Sequence, residues 1–244
     1  MVKLRAVILA AGQGTRMKSH LPKVLHPLLG RPMVWHSVQA AVAVTSAPPV
    51  VVVGVGGEQV QQALGSQAEY VVQAQQLGTA HAVLQAEALL GGRADLVLVT
   101  FADMPLLTPE ILQEVIDQQL SHPESAFTML TVVQQDARGF GRILRDASGN
   151  IQAIVEDAHA TPEQKAIREV NPSVYCFDAA WLWDVLKRIP VSPKGEYYLT
   201  DAVALARAEG RSIQALRSNY VAETIGVNTR VHLAEAEAAL RARI

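Results

Sequence analysis

Three short, mainly apolar runs recur through the first hundred residues: "AVIL" (Ala6–Leu9), "PVVVVGV" (Pro49–Val55) and "DLVLVT" (Asp95–Thr100). A strand with one face in water alternates apolar and polar residues, whereas a strand that is apolar throughout is buried on both faces. Helix-like segments separate these runs. They are "MVWHSVQAAVAV" behind Pro32, "EQVQQAL", "TAHAVLQAEALL" opened by Thr79, and "TPEILQEVIDQQL", with "AEYVV" as a further strand. The last helix carries clear start signals, with Thr108 as N-cap, Pro109 at the first helical position and acid in the first turn. The pattern predicts an α/β chain: a Rossmann-like, mostly parallel sheet with helices on both faces. In such sheets ligands collect at the carboxyl ends of the strands. Leu9–Leu25 and "FADMP" (Phe101–Pro105) are loops of that kind.

After about Thr128 the pattern loosens. "AFTMLTVV", "GRILRD", "IQAIVE" and "VNPSVYCF" read as shorter strands with turns such as "ASGN" between them. They predict a mixed-strand extension of the sheet that forms a second wall of the cleft. The tail "VNTRVHLAEAEAALRARI" reads as a helix without internal Gly or Pro.

Composition narrows the function classes. Half of the 244 residues are hydrophobic and 18% are charged, which suits a large core and excludes disorder. A net charge of -2 removes the bulk electrostatic case for nucleic acid as a partner, so any anion site must be local. Cys176 is the only cysteine, which excludes an intrachain disulfide and a cysteine zinc cluster. There is no signal-peptide pattern, and no apolar stretch approaches the roughly 20 residues that span a bilayer. The expectation is a cytoplasmic protein with no membrane partner.

The loop "LAAGQGTRMKSHLPKVL" abandons hydrophobicity directly after the first strand. Gly12 and Gly14 begin a dinucleotide fingerprint, but Met17 stands where its third glycine belongs and Pro22 forestalls a helix. The Gly-Lys-Ser/Thr of a P-loop is also missing. Read physically, the glycines let backbone N–H groups approach an anion, and Arg16 and Lys23 add a planar fork and a point charge suited to phosphate. On glycine spacing alone, an ordinary solvated loop remains the alternative. Asp103, directly after a buried strand, reads either as a turn residue or as a ligand for a hard cation. In "QAQQLGTAHA", Gln73 and Gln76 each offer a donor and an acceptor, the pair an imide edge requires; a polar strand-to-helix turn is the other reading. His20, His26 and His81 have no metal spacing with one another and read as loop and packing residues.

Taken whole, "LAAGxGTRMxSxLPKxLxPLxGxPM" resembles the signature of the sugar-phosphate nucleotidylyltransferases. "LPKVLHPLLGRPM" is most similar to the uridylyltransferase half of the bifunctional bacterial enzymes that join uridylyl transfer onto N-acetylglucosamine 1-phosphate to acetyl transfer. Further matches are "QxxQLGTAHA", "GFGRI", "AIVED", "EVNPSVY", "GEYYLTD" and "GVNTR", so the likeness runs from Leu4 to about Leu240. The resemblance implies the nucleotide-diphospho-sugar transferase fold over residues 1–228, with a nucleotide-binding half (1–125) and a sugar-binding half (126–228). Residues 229–244 would begin a C-terminal linker helix. The β-helix acetyltransferase domain and its trimer interface have no counterpart in this sequence, which implies a monomer.

The reaction implied is UTP plus N-acetylglucosamine 1-phosphate giving UDP-N-acetylglucosamine and pyrophosphate, with Mg²⁺ as cofactor. The resemblance implies Arg16 and Lys23 as the catalytic pair. Leu9, Ala10, Ala11, Gly12, Gly14, Thr15, Gln73, Gln76, Gly78 and Thr79 would bind the nucleotide, Gly78 by admitting the base or ribose and Thr79 while capping its helix. Gly141, Glu156, Asn171, Tyr197 and Thr200 would bind the sugar phosphate, and Asp103 and Asn228 the metal. Four positions depart from the family pattern: Pro172-Ser173 for Thr-Gly, Ala102 for Gly, Phe101 for Tyr and Ala158 for Lys. They keep a different sugar 1-phosphate open as the acceptor. A catalytically inactive nucleotide-binding regulatory protein is the reading from another class.

Overall fold

The computed structural model describes residues 2–45, 47–54 and 56–243. Val55, at the end of the predicted β-branched run, and Ile244, at the end of the predicted tail helix, lie outside the described residues. The strands are β1 (Leu4–Ala10), β2 (Pro27–Leu28), β3 (Arg31–Pro32), β4 (Val50–Val53), β5 (Glu69–Val72), β6 (Leu96–Phe101), β7 (Phe127–Val133), β8 (Gly141–Arg145), β9 (Ile151–Val155), β10 (Glu169–Asn171), β11 (Tyr175–Asp178) and β12 (Ile213–Ser218). The helices are α1 (Met33–Val44), α2 (Glu58–Leu64), α3 (Thr79–Leu84), α4 (Glu87–Leu90), α5 (Pro109–Ser121), α6 (Pro162–Lys165), α7 (Ala179–Leu186), α8 (Ala202–Ala208) and α9 (Arg230–Arg241).

One sheet organises the molecule in the order β5-β4-β1-β6-β11-β7-β10-β8-β9, with β12 also paired to β7. The first four of these strands run parallel, with Leu9 beside Val52 on one side and Phe101 on the other, so their carboxyl ends lie abreast. Successive residues of β1 serve opposite faces. Val7 and Leu9 enter one core with α3, α7 and α8, while Ala6 and Ile8 enter the other with α1, α2 and α5. Each fully buried Val, Leu or Ile contributes about 1.5–3 kcal/mol, which is why these runs contain no polar alternation.

The mixed extension begins at β11, which runs antiparallel to both β6 and β7. "VNPSVYCF" is not one strand. Pro172 has no N–H for a ladder and Ser173 turns left-handed (φ 63°), so the run splits into β10 and β11. "TAHAVLQAEALL" also divides, into α3 and α4, at Gln85-Ala86. The small β2–β3 hairpin, Leu106 and Val227 form a third cluster on which α9 packs through Ala236, Leu233 and Leu240. No described helix is long and apolar enough to cross a membrane.

Candidate active site

The loop after β1 is shaped by two left-handed residues, Gly14 (φ 62°) and Lys18 (φ 48°), around a short 3-10 turn, Thr15–Met17. Met17 is buried and pins the turn, and its N–H donates to the Gly14 carbonyl at 2.9 Å. Gly14 is required twice. Its φ suits glycine, and a Cβ there would lie 2.4 Å from the Lys23 Cβ. Pro22 then leads into a second 3-10 turn, Lys23–Leu25, which aims the lysine back across the loop.

Four polar side chains from distant segments meet at the strand ends. Lys23 Nζ donates to Asp103 Oδ2 at 2.5 Å and to Asn228 Oδ1 at 3.1 Å, and Arg16 donates to the same Asn228 oxygen at 2.9 Å. Asp103 is delivered by β6 and fixed by its carbonyl, which accepts from Val227 N at 2.8 Å. The group is cationic by one charge, counting Arg16, Lys23 and Asp103. Asp103 and Asn228 already converge on one cationic centre, the Lys23 ammonium. A carboxylate and an amide oxygen so placed fit a hard divalent cation whose other ligands are waters and phosphate. Among the described residues, no group of three or more His, Cys, Asp or Glu residues could hold a metal by itself.

Two cavities flank this junction. The first, of about 330 Å³, is lined by Leu9, Ala10, Ala11, Gly12, Arg16, Lys23, Gln73, Gln76, Gly78, Thr79, Asp103 and Asn228, with Glu196 at its wall. The second, of about 230 Å³, is lined by Gly141, Glu156, Asn171, Thr200, Phe140, Pro172, Ser173 and Tyr198. Arg16, Thr79, Phe101, Asp103 and Asn228 belong to both. The boundary between residues 1–125 and 126–228 is therefore crossed twice. Asn228 and Glu196 reach the first cavity, and Arg16 and Thr79 reach the second.

Within the first cavity, Gln73 is buried, and its Nε2 sits 3.0 Å from both the Gly78 carbonyl and His81 Nδ1. That orientation leaves Oε1 as the acceptor. Within the second, Glu156 accepts from the Thr200 hydroxyl at 2.8 Å. Burial lifts its carboxyl above the ordinary carboxylate range, against the pull of Thr200. Asn171 donates to the Tyr175 hydroxyl at 2.6 Å and accepts from Ser173 N at 3.0 Å, so its amide is already oriented.

Several expectations from the sequence change. Gly78 lines the first cavity and is also pressed against a neighbouring segment: a Cβ would lie 2.5 Å from the Tyr197 carbonyl oxygen, so its bareness serves backbone packing. Thr79 does not cap α3; it is the first residue of that helix, and its hydroxyl accepts from Leu199 N at 2.9 Å. Tyr197 lines neither cavity, because its ring packs on the apolar cluster beneath α3, and its neighbour Tyr198 takes the cavity wall instead. Gly14 and Thr15 shape the loop without lining either cavity.

One contributor escaped the sequence reading. Arg230 donates to the Met17 and Lys18 carbonyls, both at 3.1 Å, and so holds the turn from the start of α9. Its only signal was its place two residues after Asn228 in "VNTR".

Known proteins resemble this chain over its whole length. The bifunctional protein GlmU of Geobacillus sp. (strain WCH70) is 47% identical over 245 residues, matching 100% of this chain and 53% of that protein. The proteins of the same name from Heliobacterium modesticaldum and Bacillus subtilis (strain 168) are 46% and 43% identical, again over 100% of this chain and 53% and 54% of theirs. The chain thus spans about half the length of these relatives. A solved UDP-glucose pyrophosphorylase, complexed with UDP-glucose, superposes with a TM-score of 0.78 over the whole of both chains at 20% identity, so the fold is shared. Residues 6–191 match the family described as the MobA-like NTP transferase domain, and the chain belongs to that family.

Proposed function

We propose that this chain is a uridylyltransferase that transfers UMP from UTP to N-acetylglucosamine 1-phosphate, releasing pyrophosphate. The observation that carries the reading is the pair of cavities meeting at Arg16, Asp103 and Asn228. A donor nucleotide in one and an acceptor phosphate in the other would touch where cationic side chains converge. The resemblance of the loop and of "GEYYLTD" to the uridylyltransferase half of the bifunctional enzymes supports the choice of substrates.

In this reading Gln73 Oε1 and the exposed Gln76 amide read the uracil edge, and Leu9–Gly12 form the floor beneath the nucleotide. Glu156, Thr200, Asn171 and the Gly141 backbone take the sugar. Asp103 and Asn228 hold Mg²⁺, which when bound supplies charge neutralisation at the phosphate oxygens. Lys23 leaves Asp103 for the α-phosphate and the incoming phosphate, and Arg16 with the Gly12 backbone holds the leaving group, the Gly14–Thr15 turn shaping the loop around them. An acceptor phosphate oxygen attacks the α-phosphorus. The bond from that phosphorus to the bridging oxygen breaks, and pyrophosphate departs with the electron pair. No protein nucleophile is required, because alignment and neutralisation of two anions form the main barrier. In this reading residues 1–125 furnish most of the nucleotide wall and residues 126–228 most of the sugar wall.

The test is pyrophosphate release with Mg²⁺, crossing four nucleoside triphosphates with a panel of sugar 1-phosphates. Release confined to UTP and N-acetylglucosamine 1-phosphate is expected. Because Pro172 and Ser173 line the second cavity, a different acceptor is the one alternative with an observation behind it. Release with UTP and another sugar would select it.

A further inference from the structure

Arg142 lies directly after Gly141 on β8, and it is 5% exposed, unusually buried for an arginine. It lines neither cavity. A single nitrogen of its guanidinium, Nη1, donates to the Phe140 carbonyl and meets Asp157 Oδ1 at 2.9 Å. These acceptors belong to two adjoining walls of the second cavity, where a Cβ built on Gly141 would lie 3.8 Å from Glu156 Oε2. Phe140 and Gly141 form one wall, and Glu156, the residue before Asp157, belongs to the other.

The tips of the two walls lie outside regular structure, although Gly141 itself opens β8 and pairs with Asn171 of β10. The first is a turn with two successive left-handed residues, Arg138 (φ 50°) and Gly139 (φ 81°). The second leaves β9 at Val155 and turns at once into the short 3-10 segment Asp157–His159. The β8–β9 ladder pairs Arg142 with Val155, just short of both walls. Beyond that pair, Nη1 links the two walls. One tie is a hydrogen bond to backbone and the other an ion pair with a carboxylate.

We infer that Arg142, acting through Asp157, is a positioning residue that sets the spacing between the Gly139–Gly141 turn and Glu156, and thereby the fit of the acceptor. The inference rests on the reading that the second cavity takes the sugar phosphate. It involves neither the nucleotide cavity nor the Arg16–Lys23–Asp103 junction, so its signature is confined to one substrate.

The experiment uses the full chain and the variants Asp157→Ala, Asp157→Asn, Arg142→Met and the Arg142→Met/Asp157→Ala double variant. Asp157 is the partly exposed partner, so its variants disturb the fold less than changes at Arg142. Asp157→Ala is expected to raise the acceptor KM about tenfold, the order of one lost ion pair to a buried arginine, with the KM for UTP unchanged and the Tm lowered. Asp157→Asn keeps an acceptor oxygen and should return the acceptor KM to within about threefold of wild type. The double variant should be no worse than Arg142→Met alone, since both changes cut one link. An unchanged acceptor KM in Asp157→Ala, or effects that multiply in the double variant, would overturn the inference. Hydrogen exchange provides a readout independent of the reaction. The Phe140 amide, which donates to the Ala137 carbonyl at 2.8 Å, should exchange faster in Asp157→Ala, and an unaltered rate counts against the link. A wild-type protein inactive with every acceptor, but showing this exchange difference, would fail the functional reading and leave the positioning role standing.

Discussion

Gly78→Ala separates two accounts of one glycine. Gly78 has φ 99° and ψ 178°, a backbone region essentially restricted to glycine, where a side chain costs about 1–3 kcal/mol. An added Cβ would lie 2.5 Å from Tyr197 O and 2.7 Å from Tyr197 N, both backbone atoms. They cannot retreat cheaply, because Ala80 N donates to Tyr197 O at 2.9 Å and Tyr197 N donates to Leu77 O at 2.8 Å. Losing both bonds adds about 0.5–1.5 kcal/mol each, so the whole change should destabilise the protein by about 2–6 kcal/mol. For a chain of this size each kcal/mol moves the melting midpoint by about 2–4 °C, so a drop of at least several degrees is expected. Urea unfolding of ligand-free protein measures it without reference to any substrate. If the midpoint is unmoved while UTP affinity falls tenfold or more, Gly78 faces the nucleotide and the packing argument is refuted.

Two further outcomes follow from the same geometry. Asp103→Ala removes a proposed metal ligand and the Lys23 partner. Pyrophosphate release should fall by about 10²–10³ or more while calorimetry still detects weak UTP binding, and full activity would remove the metal role. Glu156 yields a pH dependence. Its folded carboxyl titrates above the unfolded value, so the protonated form is favoured on folding; this contribution is full below the unfolded value near ~4.3 and is lost as pH rises through the raised folded value. Glu156→Gln, which never ionises, should therefore stabilise the ligand-free protein at pH 7.5 and change little at pH 4. A gain confined to acid would reverse the assigned cause.

The parallel half of the fold was legible because burial on both faces leaves an unambiguous record: β1, β4 and β6 are apolar runs, and α5 carries its own cap, with Thr108 accepting from Ile111 N. β12 was not read. Its residues are mostly half-buried, and "SIQALRS" has no uninterrupted apolar stretch to mark it. The loop "AAGQGTRM" and Asp103 could be read because glycine, arginine and a strand-end carboxylate carry chemistry in themselves. That Gly78 rather than Thr79 precedes the helix, and that Tyr198 rather than Tyr197 lines the cavity, was not legible because sequence places a residue near a site without saying which way its side chain turns. Here the Leu77–Tyr197 backbone pairing turns the first tyrosine of "YY" into the core and leaves Tyr198 at the cavity. Arg142 and Arg230 act through backbone carbonyls and a neighbouring carboxylate, partners that only the folded chain brings within reach.

The most direct test of the proposed reaction follows the α-phosphate itself. UTP labelled with ³²P at that position is incubated with N-acetylglucosamine 1-phosphate and Mg²⁺, and label is traced through nucleotide sugar, free nucleotide and acid-precipitated protein. The two-cavity account predicts label in UDP-N-acetylglucosamine, equimolar with pyrophosphate, and none on the protein at any time. Label retained on the protein, or UTP left intact beside the acceptor, would contradict it.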